Sequence, residues 1–123
     1  MSAPLIVFLD RDSLTVPLKA IRAPHRWQAY PQTSPAEVVA RLRGASVAIS
    51  NKVAITREML AQLPDLQLIA VAATGYNQID IAAAREHKVG VCNVRDYAIH
   101  GVAEHTLMLM LALRRQLLAY RQD

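Results

Sequence analysis

The chain has 123 residues, 53% of them hydrophobic and 20% charged, a composition that supports one domain with a real core and excludes a disordered chain. The net charge of +4 is spread over scattered arginines and only 5% of residues are aromatic, which argues against a nucleic-acid partner. The single cysteine, Cys92, excludes an internal disulfide, and no apolar run is long enough to span a bilayer, so the reading is a cytoplasmic protein with no membrane partner.

Along the chain, Met1-Ser-Ala-Pro-Leu-Ile-Val has no basic segment before its apolar run and reads as the start of a strand at Leu5–Leu9, not as a signal peptide. Asp10-Arg-Asp12 ends it in a polar turn. Pro17 and Pro24 oppose a long helix in the next stretch, although Leu18 to Ile21 could form one helical turn. A short strand is expected at Trp27–Tyr30. Ser34-Pro-Ala-Glu37 is a helix start with a cap, a proline at the first helical position and a glutamate placed to close a capping box. Val38, Val39 and Leu42 give that helix its apolar stripe, and Gly44 ends it.

Ser46–Ser50 is the next strand, with Asn51 and Lys52 at its carboxyl end. Thr56 is placed to cap a helix carrying Met59, Leu60 and Leu63. Leu68 to Ala73 is apolar at every position, as a strand covered on both faces must be. Thr74-Gly75 breaks that run, and Asp80 opens an alanine-rich helix to about residue 87. Val89–Val94 is the last strand, with Cys92 expected to be a packed thiol. Strands alternating with helices at this spacing predict an α/β fold built on a parallel sheet with helices on both faces.

From Val102 to about Arg121 the sequence predicts one long helix whose middle is apolar all round. Fully burying each Leu or Met is worth about 1.5–3 kcal/mol, so this helix demands a second body to pack against: another domain or another copy of the chain, met through residues 102–120.

The candidate binding residues lie at the carboxyl edge of the predicted sheet. Thr74, Gly75 and Tyr76 form a glycine turn between a strand and a helix start. Gly75 can take a positive φ and leaves room at the backbone, and free N–H groups at such an edge bind small anions without a charged side chain. Asn51 and Lys52 end a strand at the same edge, where they either line an anion pocket or form a solvated polar loop. Asp10 and Asp12 form a strand-end carboxylate pair without an aspartate at the end of the later strand at 46–50 to complete a phosphate-accepting site. His25 and His87 sit in loop and helix-end positions. His100 and His105 flank the start of the long helix, five residues apart, a spacing that does not bring two metal ligands onto one helix face. No metal site is expected.

Val71-Ala-Ala-Thr-Gly-Tyr-Asn-Gln-Ile-Asp80, Val91-Cys-Asn-Val94 and Val102-Ala-Glu-His-Thr106, in that order, resemble the D-isomer-specific 2-hydroxyacid dehydrogenases. Asn51-Lys52 and Phe8-Leu-Asp10 are most similar to the glycerate dehydrogenase and hydroxypyruvate reductase branch. The resemblance implies a flavodoxin-like substrate-binding lobe over residues 1–100 and, over 101–123, a helix connecting to a nucleotide-binding lobe outside this chain. It implies that the N–H groups of Thr74, Gly75 and Tyr76 hold the carboxylate of a 2-hydroxy or 2-keto acid, with Thr74 near an NAD or NADP cofactor; His105, at the hinge, either lies near the cofactor or domain interface or is a first-turn polar residue. Gly44, Gly75, Gly90 and Gly101 cannot compose the glycine-rich turn that binds a dinucleotide, and the arginine and glutamate–histidine pair of the family fall outside the chain. The resemblance therefore implies a portion inactive on its own. The alternative is a free-standing flavodoxin-like binding or interaction module that dimerises through its last helix.

Overall fold

The computed structural model describes residues 3–121. The strands β1 (Leu5–Phe8), β2 (Arg26–Ala29), β3 (Val47–Ser50), β4 (Leu68–Val71) and β5 (Gly90–Asn93) form one five-stranded sheet in the order β2-β1-β3-β4-β5. Every neighbouring pair is parallel. This is the flavodoxin-like order, in which the chain reverses direction across the sheet between β1 and β3. The α/β class and the parallel sheet are as expected.

Residues Val7, Ala48, Ile69 and Val91 stand side by side in the register and define one face. The helices α1 (Val38–Leu42), α2 (Arg57–Leu60) and α3 (Ile81–Glu86) close this face, contributing Val38, Leu42, Leu60, Ala83 and Ala84 to a single core with Val7, Ala48, Ile69 and Val71. Leu9, Leu42, Leu60 and Ile69 are fully buried there, each worth about 1.5–3 kcal/mol of transfer free energy.

The second face is built differently. Ile6 and Phe8 are buried, but Val47, Ile49, Leu68 and Ala70 are only half-buried and Trp27, edge-on to Phe8 at 6.5 Å, is 41% exposed. Residues 14–25 lie over this face as irregular chain, and the helical turn expected at Leu18–Ile21 does not form. Pro17 and Pro24 bracket the one stretch that could have supplied a crossover helix between β1 and β2. The result is a cavity of about 500 Å³ lined by Leu18, Ile21, His25, Trp27 and Ile49 among others. β4 shows the same asymmetry: Ile69 and Val71 are buried, Leu68 and Ala70 half-buried. Cys92, expected as a packed thiol, is exposed, because β5 is an edge strand and Cys92 points to the open face in register with Ala70.

Local signals explain the helix starts. Glu37 reaches back so that its Oε2 accepts from the Ser34 N–H at 2.9 Å and from Ser34 Oγ at 2.6 Å. The turn Pro35–Glu37 is 3₁₀ before α1 proper begins. Gly44 ends that element at φ +74°, a conformation open to glycine at little cost. Thr56 precedes α2 without capping it through its side chain: its hydroxyl donates to Glu58 Oε2 at 2.7 Å instead. Asp80 caps α3, its Oδ1 accepting from the Ala83 N–H at 2.8 Å.

The final helical region departs from one continuous helix. α4 runs Ile99–Arg114 and α5 Leu117–Tyr120, separated by Gln116 in the left-handed region at φ +50°. No residue of either helix is buried; Met110 is 63% and Leu113 76% exposed. The apolar surface that demanded a second body therefore stands open, and the helix does not fold back into the sheet's core.

Candidate functional site

In an open parallel sheet the binding crevice lies beyond the carboxyl ends of the strands, where the connections diverge. Here that place is the gap between β1 and β3, and the chain fills it with its own charge. Asp10, immediately beyond β1 and 5% exposed, accepts the Asn51 N–H at 3.0 and 3.2 Å and the Lys52 N–H at 2.7 Å. Two N–H groups that could have bound an external anion are thus occupied by a carboxylate, and an acid arriving there would face like charge. Asn51 is tied further: its Nδ2 donates to the Ser13 carbonyl at 3.4 Å and its carbonyl accepts from Gln78 Nε2 at 2.9 Å. Lys52 is exposed and lines a cavity of about 560 Å³ with Asp10, Asp12 and Thr33.

The end of β4 is the reverse case. After Val71 the chain enters the turn with its carbonyls held on the inside. The Ala73 carbonyl accepts from the Val94 N–H at 3.0 Å, the Thr74 carbonyl from Asn93 Nδ2 at 2.7 Å, and the Tyr76 carbonyl from the Ile79 N–H at 3.0 Å. The N–H groups of Thr74, Gly75 and Tyr76 donate to no group among the described residues, and all three residues are exposed. Three consecutive free donors beside three engaged acceptors give the turn a positive face.

Gly75 is not at positive φ, contrary to the sequence expectation, and a Cβ built on it meets nothing within 4 Å. Neither backbone conformation nor packing within the chain requires glycine here; the space its missing side chain leaves opens to the outside. The helix start that follows is also separate from the turn, since Asp80 already caps α3.

Thr74 and Tyr76 line a cavity of about 490 Å³ with Asn93, Arg95 and Asp96. Sequence reasoning missed the last three. Arg95 forms no ion pair among the described residues and supplies the cavity's cation. Asp96, at φ +62°, turns the chain sharply away from β5 toward α4. Their signal was position: Asn93 ends β5 and Arg95 and Asp96 follow it, at the edge where Thr74 leaves β4. The structure thus brings Thr74, Gly75 and Tyr76 together with Asn93 and Arg95, and leaves Lys52 in a different cavity. His105 lies on exposed α4, as does His100; His25 Nδ1 pairs with the Ala23 carbonyl at 2.8 Å, away from this edge. Among the described residues no group of three or more His, Cys, Asp or Glu is placed to hold a metal.

The resolved pKa shifts lie outside this cavity. Glu37 is held below its ordinary range by the Ser34 hydroxyl and N–H, Glu58 by the Thr56 hydroxyl, and Glu86 by the Arg57 guanidinium, while Arg57 is raised in turn by Glu86. They describe surface links, the last joining α2 to α3.

The family profile described as D-isomer specific 2-hydroxyacid dehydrogenase, catalytic domain, matches residues 7–119. The chain belongs to this family. Among curated relatives, a glycerate dehydrogenase of Methylorubrum extorquens is 47% identical over 116 residues, covering 94% of this chain and 37% of the relative. The chain therefore spans just over a third of the length of that relative. The solved 2-hydroxyacid dehydrogenase of Ketogulonicigenium vulgare superposes with a TM-score of 0.74 at 23% identity, over 98% of this chain and 39% of that one. An NAD-dependent formate dehydrogenase of Staphylococcus aureus, solved with NAD, superposes with a TM-score of 0.68 at 26% identity, over 96% of this chain and 41% of its own. A dinucleotide does not fit the described residues of this chain: its glycines, at 44, 75, 90 and 101, form no glycine-rich turn leading into a helix, and α4, the one long helix, begins at Ile99 without one.

Proposed function

We propose that residues 1–100 are the substrate-binding lobe of an NAD(P)-dependent D-2-hydroxyacid dehydrogenase and that 101–123 connect it to a nucleotide-binding lobe. The reaction of the whole enzyme is hydride exchange between a nicotinamide and C2 of a short 2-hydroxy or 2-keto acid. Glycerate and hydroxypyruvate are the favoured pair, supported by the glycerate dehydrogenase relative. This chain's share is to bind and orient the acid. The N–H groups of Thr74, Gly75 and Tyr76 take its carboxylate, and Arg95 adds positive charge at the rim of the same cavity. Positioning of this kind contributes to rate by fixing geometry. The proposal sets Thr74 and His105 toward the nucleotide-binding lobe; with the N–H groups of Asn51 and Lys52 held by Asp10, only the exposed Lys52 side chain is left to meet the acid from the neighbouring cavity. The lobe has no turnover alone.

The observation that carries this reading is the row of free N–H groups on a turn whose Ala73, Thr74 and Tyr76 carbonyls are engaged within the chain. Gly75→Val tests it in the polypeptide carrying both lobes, assayed by NADH oxidation with hydroxypyruvate. A Cβ at this position meets nothing within 4 Å and the backbone is not at positive φ, so the fold is expected to be kept. The KM for the acid is expected to rise about tenfold or more, with NADH affinity unchanged. An unaltered KM removes the turn from the site.

The exposed α4 and α5 favour a second reading, a binding module that dimerises through residues 102–120. Sedimentation of the chain separates the two: a stable dimer without affinity for 2-hydroxy acids supports the module.

A further inference from the structure

We infer that Asn93 is a positioning residue that aims the Thr74–Gly75 peptide at the acid, an inference that rests on the proposed binding role of the turn. Asn93 is the last residue of β5 and pairs with Val71 in the register. Its side chain reaches past that partner to the Thr74 carbonyl, 2.7 Å away. A carbonyl oxygen only accepts, so the contact is made by the amide nitrogen of Asn93.

The described residues contain no cis peptide. In a trans peptide the carbonyl of one residue and the N–H of the next point in opposite directions within one plane. Holding the Thr74 oxygen toward β5 therefore turns the Gly75 N–H away from β5. Without that hold, the peptide next to a glycine is the one most free to rotate, since Gly75 has no Cβ to resist it. A rotated peptide would present the Thr74 oxygen where the Gly75 N–H had been, and a carbonyl oxygen repels a carboxylate. Asn93 thus acts by excluding the wrong orientation of a flexible peptide.

A second bond separates this role from a structural one. The Val94 N–H donates to the Ala73 carbonyl at 3.0 Å, main chain to main chain. This bond keeps the turn attached to β5 whatever side chain stands at 93. An Asn93 variant therefore frees one peptide without detaching the turn.

The test uses the full chain, labelled with ¹⁵N and titrated with oxalate as a small dicarboxylate probe. In Asn93→Ala, and in Asn93→Asp at neutral pH, the Gly75 amide resonance of the ligand-free chain is expected to move. Oxalate is expected to bind about five- to tenfold more weakly, the effect of one lost hydrogen bond. The melting midpoint should stay within about 3 °C of the parent, since an exposed single bond contributes little to the fold. An unmoved Gly75 resonance and unchanged oxalate affinity in both variants overturn the inference. A midpoint that falls steeply while affinity holds makes Asn93 structural and overturns it equally. If oxalate leaves the Gly75 and Tyr76 resonances of the parent chain unmoved at saturation, the acid-binding reading of the turn falls instead. The hold of Asn93 on the peptide is then judged by the ligand-free Gly75 resonance alone.

Discussion

Replacing Asp10 by alanine is the sharpest test of how the sheet edge is organised. Its carboxylate is nearly buried and is the acceptor for two consecutive backbone N–H groups at the end of β3, those of Asn51 and Lys52. A hydrogen bond to a charged group contributes about 1.5–3 kcal/mol. Water from the adjoining cavity, about 560 Å³, can reach part of the vacated space, so the lower end of that range applies to each bond. Two such bonds give about 3 kcal/mol, a large share of the roughly 5–15 kcal/mol of a domain. At about 4 °C per kcal/mol for a chain of this size, the melting midpoint should drop by about 12 °C. Asp10→Asn keeps one acceptor oxygen and should lose about half as much. Thermal and urea denaturation followed by circular dichroism at neutral pH read both variants. Acetate added to Asp10→Gly should restore part of the loss by occupying the vacated N–H groups. An Asp10→Ala variant within about 0.5 kcal/mol of the parent, with an unchanged denaturant slope, would refute the reasoning.

Other substitutions probe the neighbouring claims. Gly44→Ala places a Cβ at φ +74° and should cost about 1 kcal/mol or more, whereas Gly75→Ala, with open space and no positive φ, should be neutral within about 0.5 kcal/mol; comparison of their chemical denaturation midpoints checks both. The folded-state pKa of Glu37 is lowered from its ordinary 4.5, chiefly by Ser34, so its contribution is full above 4.5 and is lost as pH falls through the lower folded value. Ser34→Ala should therefore flatten the acid limb of a stability-versus-pH curve below about pH 5 and leave its neutral slope alone. Cys92, exposed on an edge strand, should react with a maleimide in the native chain as fast as in the urea-unfolded chain to within about tenfold; strong native protection would contradict its placement.

Much of the framework was legible in the sequence because its signals are local. The apolar runs at Leu5–Leu9 and Leu68–Ala73, the Ser34–Glu37 cap, the stop at Gly44 and the Asp80 cap each depend on a few neighbouring residues, and each appears in the structure. What was not legible depends on residues far apart. Nothing near Cys92 announces that its strand lies at the edge with an open face. Nothing in Asp10 announces that it will meet Asn51 and Lys52 some forty positions later. The break at Gln116 has no sequence signal, since glutamine carries no preference for the left-handed region it adopts. Gly75 does not use its freedom for a positive φ; its missing side chain leaves open space at the turn. Asn93 and Arg95 come beside the turn at Thr74 because β5 pairs with β4, a pairing that their position past an apolar run does not by itself announce.

The proposal that the turn at 74–76 grips the acid by its charged end is tested most directly by solving the structure with D-glycerate or oxalate bound. The account predicts a carboxylate oxygen within about 3.2 Å of the Gly75 and Tyr76 nitrogens, with the Asn93–Thr74 bond intact. A carboxylate seated instead beside Lys52, with the N–H groups of the turn left to solvent, would contradict it.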